Sequence, residues 1–315
     1  MLYRKPVQNT DFVFTWTQTP TSEFDELIIS WNALRPKQGE YVISVSVLSL
    51  EQGWSDWHVY ARWGAEGQHG GHTHCADHSL RIFQDTVELL EGKYATGFRI
   101  RVTASHGAAL SDFYFLHANT TDSKNRSYEA GTTAQADIEL KLPSISQIAL
   151  FHPRRYDLCS PTSTTSVVNY LLKGKSTDCN PIQFASQIHD QSFDIFGNWV
   201  LNTAEAASLL GKQWHCWVQR LKGFDEIYRQ LTKGYPVITS IRGPLKGSAA
   251  PYERGHLIAI RGYDAQNCRV LCMDPAFPSD AETNVSYALP DFLEAWTRRG
   301  RVAYLFEQSA LIDNK

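Results

Sequence analysis

No apolar run in the 315-residue chain approaches the roughly 18 to 20 residues that a membrane-spanning helix needs. A membrane-embedded protein is therefore not expected. Neither sign of charge dominates, with 30 Lys and Arg against 33 Asp and Glu for a net charge of -3. No basic stripe interleaved with aromatics occurs either, so a nucleic-acid partner is not expected. The opening residues, "MLYRKPVQNTDF", lack an apolar h-region after their basic residues. Cytoplasmic residence is then the default expectation, with secretion the alternative if a leader has been removed. The six cysteines, at 75, 159, 179, 216, 268 and 272, include no CxxC pair. That argues against a disulfide framework or a zinc ribbon and for free thiols. Three Asn-x-Ser/Thr triplets, at Asn119, Asn125 and Asn284, matter only in a secretory context. Internal repeats and low-complexity tracts are also missing.

What is present divides the chain. Between residues 10 and 118, segments such as "DFVFTWTQ", "ELIISWNAL", "EYVISVSVLS" and "GFRIRVTAS" alternate with period two and are rich in β-branched and aromatic residues. Breaks every ten or so residues predict an all-β sandwich accessory domain over 1–118. The polar stretch "NTTDSKNRSYEAGTTAQAD", Asn119 to Asp137, predicts a linker over 119–138. From 139 to 315 the pattern becomes α+β. Helices are expected from near Cys159, at "NTAEAASLLG" and at "GFDEIYRQLTKG", followed by apolar strand-like runs. The length suits two domains that each bury a core.

Chemistry concentrates in the second half. The segment "YDLCSPTSTTSVVNYLL" places Cys159 at the start of a helix, with Pro161 in the first turn, where a missing N–H costs nothing. Unpaired N–H groups at such an end favour a thiolate. Cys159 is thus either a nucleophile or a small core residue, and a nucleophile requires a base. His256 opens the apolar run "HLIAIRGYD", where its side chain projects from a packed strand. A turn at Gly262 to Asn267 would return the chain as "CRVLCMDP" in a hairpin, bringing Asp274 near His256. Pro275 biases Asp274 to extended backbone, and the carboxylate could fix the imidazole's orientation. Gln147, upstream in "LPSISQIAL", is either an oxyanion donor with the Cys159 N–H or a surface polar residue.

The segments "LPSISQ", "CSPTSTTSVVNYL", "GNWVLNTAEAASLLG", "GYPVITSIRG", "GHLIAIRGYD" and "VLCMDPAF", in this order, resemble those of bacterial papain-like cysteine peptidases. Those are the relatives of the bacteriocin-processing, double-glycine-leader enzymes. The resemblance covers about residues 139 to 308 and extends to the β-rich half, which looks like the N-terminal module of stand-alone members. It implies a papain-like fold, a peptide or protein substrate and no cofactor. It also implies Cys159 as nucleophile, His256 as general base, Asp274 as orienting residue and Gln147 as oxyanion donor. Two departures stand out. Eleven residues, "IALFHPRRYDL", separate Gln147 from Cys159, and serine follows the cysteine where many relatives have glycine. An acyltransferase or transglutaminase-like enzyme using the same thiol is one alternative. A non-catalytic carbohydrate- or protein-binding module is another.

Three weaker signals complete the reading. The tract "HGGHTHCADH" gathers His69, His72, His74, Cys75 and His78, which is either a metal-ligating set or an exposed glycine-bearing loop. No metal site is assigned to it. Trp199 and Asn202, in a Gly-Asn-Trp turn before a helix, are expected to line a peptide cleft, with core packing the alternative for Trp199. The Gly/Pro-rich segment from Arg242 to Gly255 is either a lid or a plain surface loop.

Overall fold

The computed structural model describes residues 2–4, 13–75, 79–129, 136–173 and 179–309. It divides into two units, one of residues 1–126 with 187–208, the other of 127–186 with 209–315.

The first unit is β-rich. Its strands are β1 (Leu2–Arg4), β2 (Val13–Gln18), β3 (Glu26–Ala33), β4 (Glu40–Ser49), β5 (Gly53–Trp54), β6 (His58–Gly64), β7 (Gln68–Cys75), β8 (Leu80–Gln84), β9 (Thr86–Leu89), β10 (Ala95–Ser105) and β11 (Phe113–Thr121). They pair in the order β1-β11-β3-β9-β8-β7-β6-β4-β10-β2, with β5 beside β4, and every named pairing is antiparallel. Period-two burial along β4 and β10 directs Tyr41 and Phe98 into the core, and the largely buried β3 and β6 add Trp31, Tyr60 and Trp63.

The tract around His72 is strand rather than loop, because β7 pairs β6 through residues 68–70 and β8 through 71–75. The two glycines at that handover are sterically required. A Cβ on Gly70 would lie 2.4 Å from the Asp190 carboxylate, and one on Gly71 2.7 Å from the Tyr60 carbonyl. His78 and the Cys75 side chain lie outside the described residues. Among the described residues no group of three or more His, Cys, Asp or Glu is placed to hold a metal.

The second unit carries α1 (Cys159–Leu172), α4 (Phe224–Thr232), α5 (Leu289–Thr297) and an antiparallel sheet. Between α1 and α4 the chain forms α2 (Pro181–Ile188) and α3 (Trp199–Leu210). The sheet comprises β12 (Ile138–Glu139), β13 (Trp214–Arg220), β14 (Val237–Ile241), β15 (His256–Asp264), β16 (Arg269–Met273), β17 (Asn284–Ala288) and β18 (Val302–Gln308). Its order is β13-β18-β14-β15-β16-β17, with β12 also on β15. The expected hairpin is β15–β16, but its turn comes later than Gly262. That residue lies inside β15 at a register shift, where a Cβ would meet the Ile138 carbonyl of β12 at 2.2 Å. Among the described residues no helix is long and apolar enough to cross a membrane.

Candidate active site

Helix α1 carries an unusual load of small polar residues on buried positions: Ser160 and residues Thr162 to Ser166 are all fully shielded. Three of the serines hydrogen-bond to groups outside the helix, as most buried hydroxyls do. Ser163 Oγ donates to the Leu257 carbonyl at 3.0 Å, Ser166 Oγ to the Pro143 carbonyl at 2.6 Å, and Ser160 Oγ lies 3.0 Å from the Tyr304 hydroxyl. The Ser163 bond fixes the helix against β15 one residue beyond His256. Small side chains allow that approach, so the helix and strand that carry Cys159 and His256 are held in one relation.

Cys159 is the first residue of α1, and the helix has no side-chain cap. Its N-terminal N–H groups are therefore available to the thiol. Cys159 is partly exposed. Burial raises its pKa, yet the hydrogen bond and charge of His256, with the backbone N–H groups of Leu257 and Ser160, outweigh this and hold it below the ordinary thiol value. The buried thiols of Cys216 and Cys272 go the other way, pushed well up by burial. The helix-terminal cysteine, by contrast, meets the His256 imidazole.

His256 is 4 % exposed. Its Nε2 lies 2.8 Å from Asp274 Oδ1, which leaves Nδ1 as the ring nitrogen for the thiol. Burial disfavours the imidazolium, but the Asp274 carboxylate and the Cys159 sulfur overcome this and push its pKa up to about 10. A thiol pulled down and an imidazole pulled up favour a thiolate–imidazolium pair across the helix–strand junction.

Asp274 follows β16 and is fully buried. Burial would raise its pKa, but the His256 charge and hydrogen bond, with the Tyr287 hydroxyl and the Ala276 N–H, keep it below the usual carboxylate range. Four donors reach the two oxygens. Oδ1 takes His256 and the Ala276 N–H at 3.0 Å. Oδ2 takes the hydroxyls of Tyr252 at 2.8 Å and Tyr287 at 2.6 Å. Neither tyrosine was singled out from sequence. Tyr287 sits on β17, paired with β16, and Tyr252 on the loop before β15, so no local spacing announces them.

Gln147 is buried, 3 % exposed, rather than a surface residue. Its backbone N–H donates to the Pro275 carbonyl at 2.9 Å, next to Asp274. Its Nε2 donates to the Arg155 carbonyl at 2.9 Å, in the 3-10 turn Arg155–Asp157 leading into α1. The intervening residues run as turns that present Phe151 fully and Tyr156 largely to solvent.

Trp199 and Asn202 lie in the first unit, with residues 187–208. Both are buried. The Trp199 N–H donates to Asp85 Oδ2 at 2.8 Å, and the Asn202 amide to the carbonyls of Phe196 and Asn198 at 3.0 and 2.8 Å. These bonds shape the Gly-Asn-Trp turn into α3.

A thiol at a helix start, an imidazole on a neighbouring strand and a buried carboxylate behind it define a candidate thiol-chemistry site. The chain belongs to the Peptidase_C39 like family, whose model matches residues 139–304, more than half of it. Residues 10–111 match the Peptidase C39 N-terminal domain. At the family level it is a bacterial cysteine peptidase with an N-terminal module. Neither the comparison with curated proteins nor that with solved structures gives a match.

Proposed function

We propose that this chain hydrolyses peptide or related amide bonds through an acyl-enzyme on Cys159, in a papain-like domain preceded by a β-sandwich module. The observation that supports this best is the use of His256 Nε2 by Asp274, which orients Nδ1 to the sulfur. The thiolate attacks the amide carbonyl carbon, forming a C–S bond, and charge moves to the carbonyl oxygen. The Cys159 N–H and a free N–H of the Gln147 amide are the assigned donors for that oxygen. The imidazolium then gives its proton to the amine nitrogen as the C–N bond breaks. Water enters, gives a proton to Nδ1 and attacks the thioester; the C–S bond breaks and the thiolate returns.

Selective alkylation tests the reading. Iodoacetamide at mildly acidic pH is expected to modify Cys159 ahead of the exposed Cys268, because the His256 imidazole and the backbone N–H groups of Leu257 and Ser160 favour the Cys159 thiolate. Equal labelling of the two would favour a non-catalytic binding module instead. Mass spectrometry of peptide products formed with an added amine separates hydrolysis from acyl transfer.

A further inference from the structure

The loop between β14 and β15 is no plain surface loop, because one of its residues is folded inward. Tyr252 is 8 % exposed, and its ring stacks on the His256 imidazole with centroids 4.0 Å apart and planes 18° apart. Its hydroxyl donates to Asp274 Oδ2 at 2.8 Å. One side chain therefore touches both members of the imidazole–carboxylate pair. The backbone at Tyr252 is in the left-handed region, with φ at +52°, which a bulky residue adopts only when its surroundings impose it.

The imposing contacts are clear. The Tyr252 carbonyl accepts the N–H groups of Gly243 at 3.2 Å and Gly255 at 3.0 Å. Gly243 itself crosses the chain so closely that a Cβ there would lie 1.6 Å from the Pro251 carbonyl. The loop is thus pinned at its neck, and Leu245 is buried as a second anchor, 5 % exposed. Strain held in place beside a proposed base indicates a part of the site rather than a mobile lid.

We infer that Tyr252 is a positioning residue: its ring fixes the plane of the His256 imidazole, and its hydroxyl holds the Asp274 carboxylate while the ring keeps water from the bond between them. A imidazole free to rotate would aim Nδ1 at the sulfur only part of the time. With Tyr252 on one face, Asp274 at Nε2 and Cys159 opposite, the ring has one orientation. The charged and titratable groups around it are Cys159 from α1, Asp274 after β16, Tyr287 from β17 and Tyr252 itself. Burial and Asp274 raise both phenols, so they remain donors over the working range.

This inference rests on the proposed thiol chemistry, and the test separates the two. The second-order rate of Cys159 alkylation by iodoacetamide is measured from pH 5 to pH 10 in the full-length wild type, Tyr252→Phe and Tyr252→Ala. Tyr252→Phe keeps the ring and is expected to keep the acid-side reactivity, at a rate reduced about fivefold for one lost hydrogen bond. Tyr252→Ala loses stack and hydroxyl together, and its rate at pH 6 is expected to fall roughly ten- to thirtyfold. A folded Tyr252→Ala with the wild-type profile would overturn the role. Should the alanine variant fail to fold, Tyr252→Leu replaces it, and a leucine profile equal to that of Tyr252→Phe overturns the role equally. A wild type in which Cys159 reacts only as an ordinary thiol overturns the nucleophile assignment, and the positioning role with it.

Discussion

Each unit of this protein buries a histidine, and the two are driven in opposite directions. His117, on β11 of the β-rich unit, is fully buried, and burial pushes its pKa down to about 3. His256, almost as buried, is pushed up to about 10 by the Asp274 carboxylate and the Cys159 sulfur. Burial alone favours the neutral ring; burial beside an anion reverses the sign. The contrast separates a core histidine from a candidate catalytic one better than exposure does.

The largest expected effect comes from removing the sulfur. Cys159→Ala should lower peptide turnover by on the order of 10⁴-fold or more with little change in thermal unfolding, and retention of full activity would refute the nucleophile. Next is Asp274→Asn, which removes the charge that raises His256. By NMR titration its imidazole should then lose protons at distinctly lower pH, and the acid-side alkylation of Cys159 should collapse by roughly 10²-fold or more. An unmoved imidazole titration would mean that the carboxylate does not set it.

The pH dependence of stability sharpens the contrast further. A histidine whose folded pKa is depressed contributes least loss above its unfolded value near 6.5, and stability falls as pH drops from there towards about 3. His256 has the opposite sign: its contribution is complete below about 6.5 and is lost as pH rises through about 10. His117→Leu should therefore flatten the acid limb of the unfolding midpoint against pH and leave the alkaline limb alone. An unchanged acid limb would remove His117 from the explanation. Smallest is Ser163→Ala, which deletes the bond from α1 to the Leu257 carbonyl. A loss of about 1 kcal/mol in denaturant unfolding is expected, and none at all would mean that this bond does not hold α1 to β15.

Much of the proposed site was readable because its signals are local. A proline in a first helical turn and a run of Ser, Thr and Val placed the helix after Leu158, and the strand-turn-strand pattern placed Asp274 beside His256. Less was readable where local pattern and tertiary setting diverge. The glycines near His72 suited either an exposed loop or a metal-ligating tract, yet they are where β7 passes between neighbours that leave no room for a Cβ. The Gly-Asn-Trp turn allowed either a cleft wall or core packing of Trp199, and the sequence did not show that the Asn202 amide bonds the carbonyls of its own turn. Tyr252 and Tyr287 escaped notice because a hydroxyl donor to a distant carboxylate has no spacing in sequence.

By itself the sequence determined which segments alternate, where a helix begins and which strand could return beside the histidine, because those preferences depend on near neighbours along the chain. Tertiary structure alone decided the protonation balance of Cys159 and His256, the choice of Nε2 for Asp274, and the recruitment of two tyrosines to one carboxylate. Those outcomes depend on distances of a few ångströms between groups from 13 to nearly a hundred residues apart, and on the low-dielectric packing that makes each such distance count.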